Sequence, residues 1–285
     1  MMPIPRALAV LLVSASLVSF GCARKVAPVT APGPLQPLAG CLEFRIVANL
    51  EDDRDAIHGA QSDFERAAKN PEAKQELYRL AKAGKPPPPP VTDKGEKAFS
   101  TGFTYSWVPL SPAAVRSLQQ QEIEKSAIAL ALQRSEPQML SMKILLFVRK
   151  RLEPETFQDE RHGRGDEYFY LMRDPEIDAE TGASMAVTAE HLESVTETVD
   201  ARLQPALAFR LTDKGGELFY ELTSKNRPNV RKETGETVYR QLAIIVAGQV
   251  VTAPRLNEAI RKDGQITGNF TKAEVQAMLS SIRGQ

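Results

Sequence analysis

Leu242–Ile282 reads LAIIVAGQVVTAPRLNEAIRKDGQITGNFTKAEVQAMLSSI, and its first residues decide what kind of sheet this chain builds. Leu242 to Val246 are all apolar. A strand with one wet face alternates, so an unbroken run implies a central strand covered on both faces. Gly248-Gln249 can form a tight hairpin turn into Val250–Ala253. Pro254 has no N–H to donate and ends the ladder there. Gly264–Asn269 reads as another short strand. Thr271-Lys272-Ala273-Glu274 is a capping box, which starts a helix over Lys272–Ile282. Val275, Met278, Leu279 and Ile282 recur at helical spacing and form its buried stripe.

Just upstream, Pro205–Leu211 alternates, with Leu207, Phe209 and Leu211 on one face and Ala206, Ala208 and Arg210 on the other. Thr212 or Asp213 can cap a helix through Thr223 whose apolar stripe is Leu218, Phe219 and Leu222. Gly215-Gly216 in its first turn costs roughly 1 kcal/mol per residue against alanine. Close packing of that helix start against a sheet would justify two glycines. Met185–Val187 and Ser194–Val199 read as strands around a helical turn at Thr188–Leu192. Asn226–Tyr239 reads as a loop. Strands and helices in this order give an α+β fold, mixed β-sheet lobes with helices packed on one face.

The first half is less rhythmic. Leu42–Ala48 alternates and predicts a strand. Glu51–Lys69 and Glu72–Ala83 keep a helical period, with Asn70 suited to the N-cap between them and Pro71 to the first turn. A proline-rich loop, 84–92, follows. Its run Pro86–Pro90 imposes a stiff polyproline II spacer without backbone donors. Phe103–Val108 is an aromatic-rich strand. Ser111-Pro112 offers an N-cap and a first-turn proline for a helix through Leu132. Met139–Val148 predicts one strand, paired with Asp166–Leu171 across a charged loop, Lys150–Gly165.

The first residues are a targeting segment rather than part of the fold. Arg6 precedes an apolar run, Ala7–Phe20, of signal-peptide length. The run ends at Gly21-Cys22, a small residue before cysteine, as in a bacterial lipobox. Ser19 and Phe20 depart from the usual residues there. The reading is a lipoprotein-type signal peptide over 1–21, lipidation at Cys22 and a proline-rich tether over 22–40. Residues 23–39 hold four prolines and no acidic residue, as suits a flexible tether. Cys41 would then be a lone thiol, whereas an unmodified Cys22 would make a Cys22–Cys41 disulfide available.

Composition excludes several function classes. Lys+Arg and Asp+Glu are 36 each, without the basic excess of a nucleic-acid grip. His58, His162 and His191 are far apart and show no metal-ligand spacing. Gly264 and Gly268 are not in phosphate-loop spacing and read as turn and close-packing glycines. No serine or cysteine nucleophile pattern stands out. The expectation is therefore a non-enzyme with no catalytic residues, metal or cofactor.

Four segments resemble the first extracytoplasmic domain of the SecD family of protein-export subunits. LEFRIVAN (Leu42–Asn49) is similar to the strand after that family's first membrane helix. PALAFRLTDKGGELFYELTSKN (Pro205–Asn226) is similar to its strand-then-helix segment. LAIIVAGQVVTAP (Leu242–Pro254) and GQITGNFTKAEVQAM (Gly264–Met278) are similar to its hairpin and its last strand and helix. The resemblance implies a base over 41–184 and a head-like subdomain over 185–285. In the family this domain is thought to hold emerging preproteins while proton flow through membrane helices drives its movement. This chain stops at Gln285, where those helices would follow, so the motor role is not carried over. The implied partners are exported preproteins or Sec translocase subunits, with membrane contact through the N-terminal lipid, on the periplasmic side. The resemblance assigns no polypeptide-binding residues. Asn257, Glu258 and Arg261, beside the hairpin, are candidates to line a groove. The alternative is an envelope scaffold lipoprotein that keeps the fold without an export role.

Overall fold

The computed structural model describes residues 41–67, 70–83, 103–134, 136–149 and 166–284. The signal segment, Cys22, the tether, the proline-rich loop and the whole charged loop with His162 lie outside them. Among the described residues no helix is long and apolar enough to cross a membrane.

The first half runs β1 (Leu42–Ile46), α1 (Arg54–Ala67), α2 (Pro71–Lys82), β2 (Tyr105–Pro109), α3 (Pro112–Gln119), α4 (Lys125–Arg134), β3 (Gln138–Met139), β4 (Leu145–Arg149) and β5 (Glu167–Arg173). Asn70 caps α2, its side chain accepting from the N–H groups of Glu72 and Ala73. Ser111 caps α3 in the same way, accepting from Ala114. The helix expected through Leu132 is broken. After Gln119 the chain turns through a 3₁₀ segment, Glu122–Glu124, before α4. The cause is Glu124, 1 % exposed, whose carboxylate swings inward to accept from the Ser141 N–H and hydroxyl. Met139–Val148 is likewise a hairpin and not one strand. Lys143 takes φ +60°, and Leu140 and Ile144 close the turn, N–H to carbonyl, at 2.9 Å.

The second half runs β6 (Val187–Thr188), β7 (Leu192–Val199), β8 (Pro205–Leu211), α5 (Asp213–Lys225), β9 (Asn229–Val230), β10 (Thr237–Val238), β11 (Leu242–Val246), β12 (Gln249–Thr252), β13 (Asp263–Ile266) and α6 (Lys272–Arg283). The expected loop 226–239 contains the small β9–β10 hairpin. The β11–β12 turn is Ala247-Gly248, one residue earlier than the sequence suggests. Both take positive φ, 49° and 76°, which a two-residue turn matching strand twist requires. The Thr271–Glu274 capping box forms in both directions.

These strands make a central sheet, β12-β11-β1-β6, an outer sheet, β13-β8-β7, and a base sheet, β2-β5-β4-β3. Every pairing between named strands is antiparallel. With the helices they form an α+β fold with three cores. The first joins Leu42, Phe44, Leu242, Ile244 and Val246 to the inner face of the outer sheet and to α5 and α6. The second joins the opposite face of the central sheet, Ala243, Ile245 and Val250, to α3, α4 and one face of the base sheet. The third packs the other face of the base sheet, with Trp107, Phe147 and Phe169, under α1 and α2. Thus β11 separates two cores, and all five of its residues are buried. β1 links the sheets. It pairs with β11 along its length, and beyond it Val47 bridges Met172 of β5.

Candidate functional site

A shallow, solvent-open cleft sits where five chain segments meet. Phe44 and Ile46 of β1, with Met185, Ala186, Leu218 and Leu222, supply its apolar surface, and Phe103 adds an aromatic edge. It opens because β6 pairs with β1 only at Glu43 and Phe44. Alongside Arg45 and Ile46, Met185 and Ala186 become lining. The α5 wall depends on Gly215 and Gly216. A Cβ at Gly215 would lie 2.6 Å from the His191 Cβ, and one at Gly216 would lie 2.7 Å from the Lys262 Cγ. These glycines let α5 start hard against a second 3₁₀ turn, Ala189–His191, and the approach to β13.

Charge rims the cleft in pairs. Lys225 reaches Glu176 and Glu221, each at 3.0 Å. Arg45 holds Glu43 at 2.7 Å and Asp174 at 3.0 Å. Behind this rim lies a buried network. Asp53, fully buried, accepts from Arg173 Nε at 2.7 Å, Tyr105 Oη at 2.8 Å and the Asn49 N–H at 2.8 Å. Arg173 also donates to Asn226 at the end of α5, at 3.1 Å. Burial by itself would lower the Arg173 pKa. The hydrogen bond and charge of Asp53, aided by Asp52, outweigh it and raise the pKa. Arg240 binds Asp52 with two parallel bonds of 2.7 and 2.8 Å, the fork geometry that orients a carboxylate best. The network thereby ties the segment before α1, the end of β5, the end of α5 and the approach to β11 into one unit.

The sequence singled out a different set of residues. Asn257, Glu258 and Arg261 are exposed and line no part of the cleft. Arg261 lies over the Tyr220 ring at 4.3 Å. His58 is exposed, and His191 accepts from the Thr188 N–H as part of a turn cap. Gly264 and Gly268 pack beneath the rings of Phe209 and Phe270, an ordinary use of small residues. Cys41 is half-buried and has no disulfide partner among the described residues. Among the described residues no cluster of His, Cys, Asp or Glu could hold a metal. What sequence reasoning missed was the Asp52-Asp53 pair. Two carboxylates just before a helix are a usable signal, since a capping acid there satisfies orphan N–H groups.

Comparison with known proteins adds the following. Residues 167–285 match the family described as SecDF, P1 head subdomain. The protein translocase subunit SecD of Aquifex aeolicus (strain VF5) is 30 % identical over 152 residues, 50 % of this chain and 26 % of that protein. Its counterpart in Rickettsia typhi (strain ATCC VR-144 / Wilmington) is 31 % identical over 113 residues, 39 % of this chain and 17 % of that protein. The chain thus matches about a quarter or less of the length of these relatives. A solved structure, "Structure and function of a membrane component SecDF that enhances protein export", aligns over 85 % of this chain and 92 % of that one. Identity is 14 % and the TM-score 0.29, too low for the superposition to carry weight.

Proposed function

We propose that this chain, whose residues 167–285 match the SecDF P1 head subdomain, acts in protein export, on the periplasmic side of a bacterial membrane, as a non-enzymatic domain that contacts exported polypeptide or the translocase. Residues 41–184 serve as base and 185–285 as head, with β1 lending a strand to the head. The Cys22 lipid supplies the tether. The observation that carries this reading is the P1 head match over residues 167–285. The cleft supports it, because an apolar floor with paired charges at its rim accepts side chains of varied sequence without demanding one ligand.

The test is photocrosslinking in cells from Leu218, Glu176 and Lys225, at the cleft. Adducts with secreted precursors or translocase subunits are the expected result. Adducts with envelope structural proteins alone would sink the export reading and favour the scaffold. For the tether, Cys22→Ser should abolish incorporation of labelled fatty acid and release the protein from the membrane fraction.

A further inference from the structure

The outer sheet ends in β7, which has β8 on one side and, among the described residues, no strand on the other. The direction of its backbone groups follows from the hairpin. Asp200 N–H donates to the Gln204 carbonyl at 2.9 Å, so that pair is a hydrogen-bonded one. Hydrogen-bonded and open pairs alternate along an antiparallel ladder. Thr198, Thr196 and Ser194, opposite Ala206, Ala208 and Arg210, therefore bond inward to β8. Val195, Glu197 and Val199 aim their N–H and C=O outward. An independent contact agrees, since the Val195 carbonyl accepts from Arg283 at 2.8 Å. Arg283 and the bulge between Leu192 and Ser194 guard the start of the strand. From Thr196 to Val199 there is no lysine, proline or bulge to keep the edge from pairing, and the one charge is Glu197.

We propose that this edge takes up an extended polypeptide as an added strand, and that it favours a segment with a lysine or arginine two positions from an apolar residue. The proposal rests on the reading that this protein contacts polypeptide, and it names a place and a chemistry for one contact. Charge selects the occupant. The edge carries Glu197, with Asp200 at its end, and no basic residue within the strand, while Glu193, in the bulge, lies near the charges of Arg210 and Lys262. A second copy pairing edge to edge would bring glutamates together, and like charges opposed across strands destabilise pairing. A basic side chain beside Glu197 is attracted. Val199, on the same side of the strand two residues on, is 51 % exposed, and Leu203 at the tip is 79 % exposed. Together they offer an apolar contact to the neighbouring position. Main-chain bonds would supply affinity and these two sites specificity.

The probe is a fluorescein-labelled octapeptide alternating threonine with lysine and leucine, titrated into the full chain by anisotropy. An otherwise equal peptide with glutamate for lysine is the control. The basic peptide should bind at least about tenfold tighter than the acidic one. Glu197→Pro should weaken it about tenfold or more, because proline removes an outward N–H without touching the β8 ladder. Unchanged binding in a folded Glu197→Pro protein, or no binding to the wild type, overturns the proposal. Should that variant misfold, Glu197→Lys decides. Reversal of the peptide preference supports the edge, and an unaltered preference overturns it. Cleft crosslinks to precursors that persist in the Glu197→Pro strain leave the export reading standing whatever the peptides do.

Discussion

The outer sheet has the longer strands, yet it is the shorter-stranded central sheet that its neighbours bury on both faces. β11 has cores on both faces, so Ile244 and Ile245 point apart and are each 3 % exposed. β8 has one core face, with Leu207, Phe209 and Leu211 turned in and Arg210 left in water. The ion pairs divide the same way. In the outer sheet Arg210 meets Asp263 with both side chains more than half exposed. Beside the central sheet, Arg173 meets Asp53 with exposures of 12 % and 0 %. A layered domain concentrates its vulnerability in the layers that two cores share, and leaves its outer layer free to vary and to bind.

The largest effect should come from putting one charge into each sheet. Ile245→Asp leaves a buried carboxylate without a partner and should cost more than about 4 kcal/mol, enough to unfold the domain. Thr196→Asp, exposed in the outer sheet, should stay within about 0.5 kcal/mol of wild type. Urea melts followed by circular dichroism would measure both, and similar losses would remove the distinction between the sheets. Next come the ion pairs. Asp53→Ala strands Arg173 and should cost about 3–5 kcal/mol, whereas Asp263→Ala, which parts a solvent-exposed pair, should leave the urea midpoint nearly unchanged. A small loss for Asp53→Ala would mean that Asp52, 3.6 Å from Arg173, takes over the cation.

Within the outer sheet the sensitive point is a glycine. Gly264 lies opposite Phe209, and a Cβ there would stand 2.5 Å from the ring. That ring is fixed between Phe44 at 5.3 Å and Phe219 at 6.1 Å. Gly264→Ala should therefore cost about 1–3 kcal/mol by overpacking, as a shifted urea midpoint with an unchanged slope. A change below about 0.5 kcal/mol would show that the ring swings aside.

How legible the fold was depends on where each element's instructions lie. β11 and α6 carry theirs locally, in an unbroken apolar run and a reciprocal cap, and were read with only a one-residue shift in the turn. The Asn70 and Ser111 caps were equally local. The hairpin in Met139–Val148 was not, because its turn has neither glycine nor proline. It is held from outside, by Glu124 on Ser141 and by Asn49 Nδ2 on the Met142 carbonyl at 3.1 Å. The break between α3 and α4 has the same remote cause. The cleft was least legible of all. Its residues come from five separate segments, and nothing in Phe103, Met185 or Leu222 marks a site until the sheets bring them together. The β7 edge was half legible, since the sequence shows the strand but not that one side lacks a neighbour among the described residues.

The smallest effect is expected to have the opposite sign. Leu203 sits at the tip of the β7–β8 hairpin with φ +61°. Its N–H donates to the Asp200 carbonyl at 3.0 Å, and the Asp200 carboxylate accepts from the Arg202 and Gln204 N–H groups at 2.8 and 2.9 Å. The turn is thus held in a shape whose third residue is left-handed, a place that glycine ordinarily takes. A side chain there costs about 1–2 kcal/mol, and this one recovers little by burial. Glycine would remove that strain but give up about 0.5–1 kcal/mol of chain entropy. Leu203→Gly should therefore raise stability by about 0.5 kcal/mol, as a small upward shift in Tm. The same change should weaken the basic octapeptide, because it deletes half of the apolar contact. A protein that became more stable while keeping full peptide affinity would place the leucine outside the binding surface. One that lost stability would mean that Leu203 packs against its own chain in solution, and the outer sheet would then be less open than its burial pattern indicates.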